Sequence, residues 1–69
     1  MALQFGRSRL PELLRARNMS QAELARRIGV SRSYISQIIS GKETFSLIKA
    51  KEAAIVLECY VDDLYEWVW

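Results

Sequence analysis

Ser20 to Lys42 reads SQAELARRIGVSRSYISQIISGK, and this stretch decides the fold. It contains two short helical patterns with a glycine between them. In the first, Leu24, Ala25 and Ile28 recur at the spacing of one helix face. Ser20-Gln-Ala-Glu23 opens it as a capping box, in which the serine hydroxyl and the Glu23 carboxylate can each accept a backbone N–H. Gly29 closes it, because a tight helix-ending turn favours positive φ. Ser31 is then a suitable N-cap for a second helix running to about Ser40 and ended by Gly41. Ile35, Ile38 and Ile39 give this helix its apolar face, while Ser33, Ser36 and Gln37 give it a polar one. Ala25, Gly29, Val30, Ile35 and Ile38 stand where two steeply crossing helices need small or apolar side chains. A larger residue at Ala25 would hold the helices apart.

Outward from this pair, apolar residues keep recurring at three- and four-residue spacings. Leu10, Leu13, Leu14 and Arg17 lie on or near one face of a preceding helix, with Pro11 tolerated in its opening turn and Asn18 ending it. Ser46 starts a fourth helix through about Leu57, with Leu47, Ala50, Ala54 and Leu57 as its core stripe. A short fifth helix is expected around Asp62–Glu66. Leu3 and Phe5 either close over the same core or form a loose arm. Glycine and proline are scarce, and no repeat or linker is visible. The fold class expected is therefore all-α: a compact five-helix domain spanning residues 1–69.

Composition narrows the function classes. Half of the 69 residues are apolar (51%), which argues against disorder, but no apolar stretch is long enough to span a bilayer. The N-terminus has no long apolar core behind a basic start, so no secretory signal is expected. Cys59 is the one cysteine and histidine is absent, which removes an internal disulfide, the commonest metal ligand and the usual general base. No metal, cofactor or catalytic constellation is expected, and a reduced, cytoplasmic setting fits. The net charge of +2 conceals a division. Arg7 to Lys42 carries seven arginines and one lysine against two glutamates, a net of +6, whereas Glu43 to Trp69 carries two lysines against six carboxylates, a net of −4. The basic half suits a polyanion, although a solvated charged surface would show the same split.

Two short helices around a glycine turn form the helix-turn-helix pattern, in which the second helix enters the DNA major groove by its N-terminal end. The stretch resembles, almost position by position, the SQ-x-x-LA-x-x-x-G-V-S-x-x-x-I-S-x-I-x-x-G-K pattern of the lambda-repressor-like helix-turn-helix family, also called Xre or Cro-like. The likeness runs from about Arg9 to Tyr65, and DDLYEW is similar to the family's closing short helix. The resemblance implies a five-helix lambda-repressor-like DNA-binding domain, with the helix-turn-helix at about 20–41 and a C-terminal dimerisation region at about 46–69. It implies a regulator, a repressor acting as a homodimer on an inverted-repeat operator in double-stranded DNA. Arg32 and Ser33, at the start of the reading helix, are implied base contacts, with Ser36 and Gln37 beside them. An arginine can grip guanine O6 and N7, and a glutamine adenine N6 and N7. Gln21, Tyr34, Lys42 and Thr44 are implied contacts to the sugar-phosphate backbone, Gln21 through its amide and the free N–H groups of its helix start. Each also reads as an ordinary exposed helix residue, and Tyr34 as a ring packed on the helix surface. Arg26 and Arg27 suit solubility or distant phosphate attraction better than specific contact.

The chain departs from the pattern in places. An arginine and a glutamate that often pair in the family are replaced here by Leu14 and Ile39, expected to touch. Glu58 stands where glycine is expected after the fourth helix, Tyr60 at the usual serine cap of the fifth, and Phe45 where proline is frequent. Ile48 and Ile55 lie away from the core stripe. With the aromatic end, chiefly Trp67 and Trp69, they are the candidate dimer interface, unless the tryptophans fold back on their own domain. An alternative use of that end is to hold a toxin or another regulatory protein.

Overall fold

The computed structural model describes residues 2–69. A strand β1 (Gln4–Ser8) leads into four helices, α1 (Leu10–Ala16), α2 (Gln21–Ile28), α3 (Arg32–Ser40) and α4 (Leu47–Leu57). A 3-10 turn (Val61–Leu64) then delivers the chain to a second strand, β2 (Tyr65–Val68), which pairs antiparallel with β1.

The helix ends follow their local chemistry. Ser20, Ser31 and Ser46 each cap a helix by accepting the N–H three residues on. Gly29 and Gly41 end α2 and α3 in the left-handed conformation at φ 71° and 86°. Asn18 takes φ 55° after α1. Only half of the expected capping box forms at α2. Ser20 Oγ accepts from Glu23 N–H at 3.1 Å, but the Glu23 carboxylate turns outward to Arg26 and Arg27.

The all-α, five-helix expectation is wrong. The segment read as a fifth helix is a 3-10 turn followed by a strand, and the described residues form four α-helices and a two-stranded sheet. The physical reason is that Tyr65, Trp67 and Val68 are strand-forming residues and that Gln4–Ser8 offers them a partner. Phe5 opposes Trp67 and Ser8 opposes Tyr65, so Gly6 and Arg7 together face Glu66 across a bulge. Gly6 is required there: a Cβ at this position would lie 2.6 Å from the Glu66 carbonyl oxygen. Arg7 then ties three elements together, reaching Glu12 at 2.8 Å and Glu66 at 3.0 Å. This neighbourhood, Glu12 foremost, raises the Arg7 pKa, and Arg7 in turn holds the Glu12 carboxyl below its ordinary range.

Leu10, Leu24, Ile35, Ile38, Leu57 and Leu64 are fully buried at the centre. Leu14 belongs to the same cluster and Ile39 packs against it, so the two positions of the missing ion pair share one apolar core. The stripe on α4 is also corrected. Ala50, Ala53, Ala54 and Leu57 face inward, while Leu47, on the first turn, is 81% exposed.

Two cations clamp helix ends across the core. Arg17 donates from Nε to the Leu57 carbonyl at 3.0 Å and reaches Glu58 at 3.3 Å. Lys49 donates from Nζ to the Ile28 carbonyl at 2.7 Å. Each brings positive charge to a C-terminus whose last carbonyls lack partners, the favourable sense for a helix dipole. Glu58, standing where glycine was expected, adopts φ 55°, and the Glu58 and Cys59 N–H groups close the helix end on the Ile55 and Ala54 carbonyls at 3.2 and 2.9 Å. Tyr60 N–H donates to the Asp63 carboxylate at 2.9 Å, so the cap of the 3-10 turn comes from Asp63.

Candidate nucleic-acid interface

Helices α2 and α3 pack over Ala25, which is 3% exposed, with Val30 N–H donating to the Ala25 carbonyl at 2.9 Å to close the turn. Ile35 and Ile38 anchor α3 beneath. The opposite side of α3 is left in solvent: Arg32, Ser33, Ser36 and Gln37 are all exposed. Among the described residues none of these four side chains makes a hydrogen bond or ion pair. Four polar groups with no internal use, on one face of one helix, are available to an external ligand.

The cations of the basic half divide in the same way. Arg7, Arg17, Arg26 and Arg27 are paired with carboxylates, whereas Arg9, Arg15, Arg32 and Lys42 have no carboxylate partner among the described residues; of these, Arg32 opens α3 and Lys42 lies just beyond its end. Arg27 first and Arg26 second hold the Glu23 carboxyl below its ordinary range. Of the other implied contacts, Gln21 is half-buried at the start of α2, and Thr44 is exposed in the loop after α3. Lys42 is exposed, and its N–H donates to the Gln37 carbonyl at 3.0 Å. Tyr34 is half-buried with its ring edge-on to Phe45, centroids 6.1 Å apart, so part of it packs on its own domain.

The helix-turn-helix family matches residues 12–64, most of the chain. The chain belongs to this family. It is a helix-turn-helix protein of the Xre, lambda-repressor-like kind, a DNA-binding protein of transcription regulation. Solved structures agree. The restriction-modification controller protein C.AhdI from Aeromonas hydrophila is similar at 33% identity and TM-score 0.73, over 80% of this chain and 83% of that one. The biofilm master regulator SinR, solved in complex with DNA, is similar at 30% identity and TM-score 0.70, over 77% of this chain and 86% of its own. The transcriptional regulator VanUg is similar at 26% identity and TM-score 0.74, over 99% of this chain and 89% of that one. A search of curated proteins finds no significant match.

The sequence reading of this helix-turn-helix protein missed the aromatic ladder behind the site. Phe45 is 8% exposed, and its N–H donates to the Tyr65 hydroxyl at 3.2 Å. Tyr65 lies 4.7 Å from Phe5 and 6.0 Å from Trp67, and Trp67 Nε1–H donates to the Asp62 carbonyl at 2.9 Å. Burial pushes the Tyr65 hydroxyl pKa up. Trp67 thus folds back on its own chain, whereas Trp69 stays 74% exposed. The available signal was the alternation of Tyr65, Trp67 and Trp69 at strand period, matched by Leu3 and Phe5.

Proposed function

We propose that this chain is a sequence-specific repressor that binds double-stranded DNA as a homodimer on an inverted-repeat operator. The observation that carries the proposal is the unspent polar face of α3, where Arg32, Ser33, Ser36 and Gln37 stand exposed and unpartnered at the second helix of a helix-turn-helix. In this reading Arg32 and Gln37 read base edges, with Ser33 and Ser36 beside them. Gln21, Tyr34, Lys42 and Thr44 hold the phosphate backbone on either side. The DNA-bound structure of SinR, a similar chain, supports the choice of ligand.

A second copy is the proposed partner, through the C-terminal region 46–69. Leu47, Ile48 and Ile55 are 81%, 71% and 63% exposed on α4, an unusual apolar load for one helix face in water. A hollow of about 240 Å³ between α4 and the sheet, bordered by Phe5, Phe45, Leu47 and Trp67, continues this surface. Trp69 borders a separate hollow with Leu3, Asp62 and Trp67, and Trp67 contributes only the part of its ring that its own chain leaves uncovered. A two-fold pair built here presents both α3 helices to successive half-sites. The proposal includes no catalytic role, and a cytoplasmic location accords with it; no helix is long and apolar enough to cross a membrane among the described residues.

Arg32→Ala is expected to lower affinity and relax base preference, with about 1–3 kcal/mol of discrimination lost at one base pair. Gln21→Ala is expected to weaken binding to all duplexes alike. Competition between specific and random duplexes, followed by fluorescence anisotropy, separates the two. Equal losses on both DNAs for both variants would refute the assignment.

A further inference from the structure

Lys42 and Thr44 sit in the loop between α3 and α4, and the two ends of that loop are fixed by different parts of the molecule. At the near end, Gly41 turns left-handed and the Lys42 and Glu43 N–H groups both donate to the Gln37 carbonyl, at 3.0 and 3.2 Å. This end belongs to α3. At the far end, the Phe45 N–H donates to the hydroxyl of Tyr65, twenty residues away on β2, at 3.2 Å. The Phe45 ring is tilted edge-on against Tyr34 at 6.1 Å and Tyr65 at 6.5 Å. Phe45 is 8% exposed and Tyr65 6%, so water does not readily replace this bond.

We infer that Tyr65 is a positioning residue for DNA binding: its hydroxyl holds the Phe45 N–H and so sets the height at which Lys42 and Thr44 meet the phosphate backbone. The inference rests on the proposed backbone role of those two residues. It makes the β1–β2 sheet part of the reading apparatus, because Tyr65 is placed by the sheet, through its pairing with Ser8. Removing the hydroxyl as Tyr65→Phe keeps the ring stack but leaves a nearly buried N–H without an acceptor. The Phe45 end of the loop then shifts toward water and carries Thr44 with it, while Lys42 is left held from the α3 side alone.

The test is a double-mutant cycle on a mixed-sequence DNA duplex of about two helical turns. Lys42→Ala, Tyr65→Phe and the double variant are titrated across a salt series. Lys42→Ala is expected to reduce the salt slope by about one. Tyr65→Phe is expected to weaken binding by about three- to tenfold, the range of one net hydrogen bond, and to flatten the slope in the same direction. In the Tyr65→Phe background Lys42→Ala then costs less than half of what it costs alone. A merely structural tyrosine would lower the thermal midpoint while leaving the Lys42 loss and the slope unchanged, and that outcome overturns the inference. A Lys42→Ala slope equal to wild type overturns it at an earlier step, by removing the backbone contact itself. Hydrogen exchange in the unmodified chain gives an independent measure. The Phe45 amide is expected to be protected without DNA and more so with it, and rapid exchange without DNA contradicts the bond.

Discussion

At Gly6 a single hydrogen atom separates a closed sheet from a broken one. The Glu66 carbonyl stands where a Cβ would sit 2.6 Å away, and both partners are backbone, which cannot swing aside. Gly6→Ala is expected to cost about 1–3 kcal/mol, the usual penalty for overpacking. It is also expected to change the near-ultraviolet dichroism of Trp67, which stacks on Phe5 next door. An unchanged melting curve and aromatic spectrum would show that the bulge is not tight. The residues that end helices were legible in advance, since Gly29, Gly41 and Asn18 announce left-handed backbone by their chemistry. Glu58 did not announce itself, because it takes a φ of 55° against the preference of a residue with a side chain, and the partner its carboxylate meets, Arg17, lies forty-one residues earlier. Phe45 likewise stood where a proline was expected. Its N–H, which proline lacks, is what reaches Tyr65.

The four helices were legible as elements because each carries its own apolar face and three of them a serine cap, information held within about ten residues. The sheet was not, because it joins the two ends of the chain, and a strand of four residues such as Tyr65–Val68 is too short a run for its alternation alone to separate it from a helical turn. Leu47 misled for a related reason: it has the right spacing from Ala50, but the neighbours that bury α4 end one turn short of it. Between elements, the Lys49 clamp on α2 offers a direct test. Lys49→Met keeps the stem and removes the bond to the Ile28 carbonyl, and a loss of about 1 kcal/mol in denaturant unfolding is expected. No change would mean that water serves that carbonyl equally well. Acid offers a second test at the start of α2. Arg27 and Arg26 hold the Glu23 carboxyl below its unfolded value, so this contribution is complete above the ordinary glutamate pKa of about 4.3. It is lost as the pH falls through the lower folded value. Glu23→Gln is therefore expected to flatten the acid limb of the thermal midpoint against pH, and parallel acid limbs in the two proteins would rule the contribution out.

Across the whole molecule, the polar face of α3 and the apolar face of α4 assign different work to the two ends of the chain. Helix α3 was legible in the sequence down to its exposed side chains, because amphipathic spacing determines which residues face solvent. The apolar end was legible only as a surplus of exposed hydrophobes, since nothing local distinguishes Trp67, which folds back, from Trp69, which does not. Ile48→Asp isolates the self-association claim, because Ile48 is 71% exposed and its replacement is expected to shift stability by no more than about 0.5 kcal/mol. Sedimentation should show a monomer at concentrations where the unmodified chain is a dimer, and a dimer unaffected by the change would move the interface elsewhere. The most direct test of the central claim is selection of bound fragments from a randomised duplex library, followed by a salt titration of the recovered site. The account predicts an inverted repeat with half-sites about one helical turn apart, bound with a steep salt slope. Recovery of no consensus, with binding that depends on salt but not on sequence, would contradict it.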